Sequence, residues 1–165
     1  MSKIAIIGFQ IAAIIGFSSL AGAQTSATVT AKPLSDSDIA LLRHDVQADK
    51  MDIITKTMKF TDAEAAAFWP VYRDYANEQQ KIGDSRYQLI KDYAQNYDGM
   101  TDAKAADLAS RSFDVDKATL ANRKAYWPRF EKALGPKRAA KFYQVDKRLS
   151  LMIDLELSSE IPLIQ

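Results

Sequence analysis

Beyond residue 34, apolar side chains recur at intervals of three and four, and no run alternates with the period of two that marks a strand. The spacing predicts four helices. The first starts at Ser35 or Ser37, either able to cap it, and carries Ile39, Leu42, Val46, Ile53, Ile54 and Met58 on one stripe, interrupted near Asp49 and Lys50. The second opens on Thr61-Asp62-Ala63-Glu64, a capping box in which each end of the motif satisfies a free amide of the other. Phe68, Tyr72, Tyr75, Gln79, Ile82, Arg86, Leu89, Tyr93 and Asn96 then step by threes and fours, and nothing stops the helix before Asp98-Gly99. At 1.5 Å per residue that span is roughly 50 Å, a length suited to an elongated hairpin. The third helix starts at Thr101-Asp102 and runs through Leu108, Val115, Leu120, Tyr126 and Phe130 to about Leu134. Gly135-Pro136 opens the fourth, which carries Ala139, Phe142, Val145, Leu149, Met152 and Ile153 and stops before Ile161-Pro162. The expected fold class is all-α: a long antiparallel hairpin with two flanking helices.

A motif repeats inside this pattern. Phe68-Trp69-Pro70-Val71-Tyr72 sits in the second helix and Tyr126-Trp127-Pro128-Arg129-Phe130 in the third, and together they hold both tryptophans of the chain. With a reversal at Gly99, Trp69 lies 30 residues before the turn and Trp127 lies 28 after it. Antiparallel helices would bring the motifs to one level, and each proline, lacking an amide hydrogen, would kink its helix at Pro70 and Pro128. Packed inward, the six rings would form a core cluster at the bundle's end. Facing outward, Phe68, Trp69, Tyr72, Tyr126, Trp127 and Phe130 would form a surface for apolar segments of a client or partner.

The N-terminus supplies an address. Lys3 precedes an almost continuous apolar run, Ile4 to Leu20, and Ala21-Gly22-Ala23 follows, the three parts of a secretory signal peptide. Cleavage after Ala23 is expected to deliver the chain to the periplasm, and membrane contact follows only if the segment stays as an anchor. Removing residues 1–23 from the 165 leaves 142, the size of one domain. Residues 24–34 are small and polar and read as a flexible leader, so residues 35–160 form the single domain. There is no cysteine, so packing alone must hold the exported chain. The 22 Lys and Arg face 21 Asp and Glu, and loss of Lys3 makes the balance even. Nucleic-acid binding, which needs a basic excess, is not expected.

Catalysis has little to build on. His44 is the only histidine, set beside Arg43 and Asp45 on the polar side of the first helix. Asp114 and Asp116 are two apart and fall on different helix faces. No phosphate loop, nucleophile elbow or metal-ligand spacing occurs, so neither enzyme activity nor a cofactor or metal is expected. Leu149 to Ile164 is the most hydrophobic part of the mature chain, and its apolar residues cannot all face one stripe. Burial on more than one side is the first expectation, and a homodimer interface or client groove the alternative.

A second, fainter repeat joins two helix starts. Phe60-Thr61-Asp62-Ala63-Glu64 and Leu134-Gly135-Pro136-Lys137-Arg138 each place an apolar residue, a cap, two start residues and a charged residue before Ala-Ala-x-Phe. In a cysteine-free exported helical chain this layout resembles the periplasmic Spy/CpxP group with its LTxxQ motifs, from about Leu34 to Leu149. The resemblance is one of layout: Phe60 and Glu64 stand for Leu and Gln in one copy, and Gly135-Pro136 and Arg138 depart in the other. It implies a helical hairpin protein, often a cradle-shaped dimer. The implied activity is ATP-independent chaperoning, modulation of envelope-stress signalling, or metal-stress sensing. Chaperone-like holding of unfolded clients is the leading expectation, and a regulatory adaptor docking on one envelope protein is the alternative.

Overall fold

A computed structural model describes residues 36–164, with side chains from Val46 onward, Glu160 excepted. The expectations for the signal peptide, the leader and the side chain of His44 therefore lie outside the described residues. Among those described, the chain is all-helical: α1 (Asp36–Met58), α2 (Asp62–Asn96), α3 (Asp102–Leu134) and α4 (Pro136–Glu160), with a short 3-10 turn over Tyr97–Gly99. No helix among them is long and apolar enough to cross a membrane.

Local chemistry sets each boundary. Thr61 Oγ1 accepts from the Glu64 amide at 3.3 Å, and Glu64 Oε2 accepts from the Thr61 amide at 2.9 Å. Thr101 caps α3 by accepting from the Lys104 amide at 3.2 Å. α1 ends at Lys59, which turns left-handed with φ 48° and donates its amide to Thr55 O at 3.0 Å. Gly135 joins α3 to α4 at φ 74° and ψ 158°. Its amide closes α3 on Glu131 O at 2.8 Å, and its carbonyl receives the Ala139 amide of α4 at 3.0 Å. Pro136 follows in the first turn of α4, where a missing amide hydrogen breaks no helical bond.

Pro70 and Pro128 both lie inside their helices, on exposed faces. Each leaves the carbonyl four residues back without its helical donor, at Ala66 and Lys124. Both of those residues are exposed, so water can complete the carbonyls and the helices continue through.

Packing is concentrated at one place. A single buried cluster takes Ile54 and Met58 from α1, Phe68, Tyr72 and Tyr75 from α2, Phe130 and Leu134 from α3, and Ala139, Phe142, Val145 and Leu149 from α4. α3 approaches α2 through Phe130 against Phe68, Tyr126 against Tyr75, and Lys104 and Arg111 on Asp92. α1 lies against α4, where Arg138 and Lys141 donate to Met58 O and Thr57 O at 2.9 and 2.8 Å. Burial then fades. Among the described residues α2 has none buried after Tyr75 and α4 none after Leu149, while α3 adds Leu108 and Val115.

The C-terminal stretch accordingly departs from the sequence-based expectation of burial on several sides. Leu151, Met152 and Leu155 are 52%, 67% and 73% exposed. Apolar density in a sequence suggests enclosure, but no described helix remains to cover the outer side of α4.

The Gly135 backbone occupies a region open essentially to glycine alone, although a methyl group there would meet no neighbour within 4 Å. Gly135→Ala is therefore a test of backbone strain free of steric clash. It should lower unfolding free energy by about 1–3 kcal/mol in denaturant melts with an unchanged m value.

Candidate functional site

The starts of α2 and α4 and the aromatic motifs converge on one place. Phe68 is wholly buried and touches five rings: Phe60 at 4.6 Å, Trp69 at 5.1 Å, Tyr72 at 5.6 Å, Phe130 at 5.6 Å and Phe142 at 4.9 Å. Most of these ring pairs are tilted or edge-on, the arrangements that ring quadrupoles favour. The fainter sequence repeat acquires a physical meaning here. Its equivalent positions touch one another: Glu64 pairs with Arg138 across the two helix starts, at 2.5 Å, and Phe68 meets Phe142. The backbone amide and hydroxyl of Thr61, and after them Arg138, hold the Glu64 carboxyl below its ordinary range.

Just beyond the rings sits the one charged group that is buried among the described residues. Asp146 of α4 is 2% exposed. The Tyr75 hydroxyl of α2 donates to its Oδ2 at 2.8 Å, Arg123 Nε of α3 stands 3.6 Å away, and Lys50 Nζ of α1 lies 3.8 Å from Oδ1. All four helices thus contribute one group. Two of these groups are held in turn: Gln79 donates to the Tyr75 hydroxyl at 3.2 Å and Arg123 to Ser150 Oγ at 3.0 Å, while Gln47 donates to the neighbouring Tyr72 hydroxyl at 3.3 Å. The carboxylate is matched by two cations and a phenol, the condition under which a buried charge is tolerated.

Periodicity alone does not single out Asp146, although a signal is present. It lies four residues after Phe142 and three before Leu149, on the apolar stripe of α4, where a lone acid requires partners. Those partners cannot be found that way, since Tyr75 is 71 residues distant.

The six aromatic candidates divide into two groups. Phe68, Tyr72 and Phe130 are interior, at 0%, 1% and 4% exposure, and hold the helices together. They cannot face a partner in this conformation. Trp69, Tyr126 and Trp127 are half-buried at the edge of the same cluster. Trp69 meets Phe60, Phe68 and Tyr72 edge-on at 5.9, 5.1 and 5.5 Å, and Arg129 lies over the Tyr126 ring at 4.9 Å. No direct ring contact joins the two indoles among the described residues; they share the cluster instead.

Two adjoining shallow grooves of about 480 and 610 Å³ lie along α2 and α3, both lined by Glu78 and Lys81. The first is polar and includes Asp74, Asn77 and Tyr126, whereas the second has an apolar floor of Ile82, Leu89, Val115 and Ala118. The α2 residues that bond to α4, namely Tyr75 and Arg86, do not line them. Among the described residues no group of three or more His, Cys, Asp or Glu side chains could hold a metal ion. No family model matches the chain, and no curated protein or solved structure matches it either.

Burial, and then the Asp146 charge, raise the Tyr75 phenol above its ordinary value and push Tyr72 up to about 12. Both phenols ionise in the unfolded chain before they do in the folded one. Their stabilising effect is complete below about pH 10, the ordinary tyrosine value, and is lost as pH rises through the folded values. Unfolding free energy should therefore fall above about pH 10, by up to ~1.4 kcal/mol per phenol per pH unit. Denaturant melts across that range should show a shallower alkaline slope for Tyr75→Phe; an unchanged slope would remove Tyr75 from the account.

Proposed function

We propose that this chain is an exported helical binding protein that holds unfolded or apolar segments of other polypeptides in the periplasm, without ATP and without catalysis. The observation that carries the reading is apolar exposure on a chain with no need of it for folding. Phe113, Met152 and Leu155 are 71%, 67% and 73% exposed, and Leu120 and Leu151 about half so, while a complete core is assembled elsewhere. Apolar side chains gathered into a patch mark binding surfaces, and those of α3 and of the second half of α4 supply the material for one. Trp69, Tyr126 and Trp127 add a separate apolar edge where the helices are best anchored.

On this reading α2 and α3 form an elongated antiparallel hairpin reversing near Gly99, with α1 and α4 along one side and kinks at Pro70 and Pro128 giving it curvature. Support comes from the residue pairs. Phe68 with Phe130, Tyr75 with Tyr126, Arg86 with Asp116 and Asp92 with Lys104 are all nearly symmetric about position 100. The likeness in layout to the Spy/CpxP group, the apolar run at residues 4–20 and the lack of cysteine agree with a holding role under envelope stress.

Reduced insulin, whose B chain aggregates, is a convenient client, because the reductant leaves a cysteine-free protein untouched. The purified mature protein should suppress that aggregation near equimolar ratio without nucleotide. Replacing both half-buried indoles, Trp69→Ala with Trp127→Ala, should raise the amount required several-fold while helical content stays the same. Absence of suppression by the unaltered protein would end the holding proposal, and one tight stoichiometric partner from envelope extract would favour the adaptor instead.

A further inference from the structure

α4 is attached in two different ways along its length. Its first half is seated by buried side chains, Phe142, Val145, Asp146 and Leu149. The same inward spacing continues through Ile153 to Leu157, yet Leu157 is 40% exposed and, among the described residues, nothing after Leu149 is buried. Polar clasps fasten this second half. Arg86 of α2 pairs with Asp154, the Tyr93 hydroxyl donates to Pro162 O at 2.7 Å, and the Tyr97 hydroxyl donates to Leu163 O at 3.2 Å. Arg86, Ile90, Tyr93 and Tyr97 follow one another by four, three and four, which places them on one face of α2 and its C-cap.

The two kinds of attachment have different strengths. Buried apolar side chains resist separation because water must be readmitted to their surfaces. Water competes directly for exposed hydrogen bonds and ion pairs, so each clasp adds little. The second half of α4 can thus lift away while Asp146 and the ring cluster keep the first half docked. Lifting would free Arg86 and the rings of Tyr93 and Tyr97 from the arm, and would expose further Ile153 and Leu157, which continue the inward spacing of α4. These would join the already exposed Leu151 and Leu155.

We propose that residues 151–164 are an autoinhibitory latch: they occupy the Arg86–Ile90–Tyr93–Tyr97 face and must release before that face can receive an apolar segment of another polypeptide. This rests on the holding function proposed above and adds its regulation. The occupant in the resting state is the chain's own C-terminal arm. A client would replace it with aliphatic side chains laid against the tyrosine rings.

Tyr93→Phe and Tyr97→Phe remove two clasps and keep both rings, and Asp154→Asn takes the ionic attraction from the third. Hydrogen exchange and reduced-insulin holding should be measured on the full mature chain with and without these three changes. In the unaltered protein, amides of residues 151–160 should exchange at least about tenfold faster than those of residues 139–149. The triple variant should speed the first group about tenfold again, leave the second unchanged, and hold insulin at lower ratio. Exchange of residues 151–160 in step with 139–149, or indifference to the three changes, overturns the latch. Faster exchange with identical holding by the two proteins also overturns it, and leaves the holding function standing. No holding by either protein removes that function itself, and with it anything for the latch to guard.

Discussion

One carboxylate ties the four helices together. Asp146 sits at 2% exposure and takes a hydrogen bond from α2 through Tyr75, with cations from α3 and α1 at Arg123 and Lys50. A buried charge left unmatched is strongly unfavourable, so any slip of one helix that withdraws its partner is opposed. The aromatic cluster supplies the bulk of the cohesion, but ring against ring tolerates small shifts in register. The Tyr75–Asp146 bond and its two cations do not. Together they account for a well-defined base in a chain without disulfides.

From that base outward, cohesion declines. α2 continues for about six turns beyond Tyr75 with only half-buried or exposed residues. Over that length it is held to α3 by a charged cluster and by the buried Leu108 and Val115. In the cluster, Asp107 pairs with Lys104 at 3.7 Å and with Arg111 at 3.2 Å, and those two cations bind Asp92 across the helix pair. Lys104 and then Arg111 hold the Asp92 carboxyl below its usual range. Partly exposed pairs of this kind align helices more than they stabilise them. The outer part of the molecule is therefore the part able to change partners, and it is also where Phe113, Met152 and Leu155 stand exposed. A rigid base with an apolar, lightly fastened far end suits the proposed holding of flexible clients.

The helix boundaries were legible in the sequence because their causes are local. Thr61 with Glu64, Thr101, and Gly135-Pro136 each act within four residues, and the structure places helix ends at all three. The stripe of α2 was legible for the same reason, through the recurrence of Phe68, Tyr72 and Tyr75. Depth of burial was not. Periodicity tells which face a side chain takes, but not how many helices arrive on that face. Tyr75 and Ile82 therefore look alike on the α2 stripe, although the first is interior and the second only partly buried. Asp146, Arg123 and the Glu64–Arg138 pair depend on residues brought together over long sequence separations. The density of leucines after Leu149 suggests a covering that the described helices do not provide.

The most direct test of this account removes the carboxylate at the junction. Asp146→Ala leaves Arg123 and Lys50 without their shared anion and strands the Tyr75 hydroxyl. Denaturant melts at neutral pH should show a loss of about 3–5 kcal/mol, with coupling to Tyr75→Phe in a double-mutant cycle. A loss below about 1 kcal/mol, close to the range of ordinary surface substitutions, would contradict the claim that this group ties the four helices together.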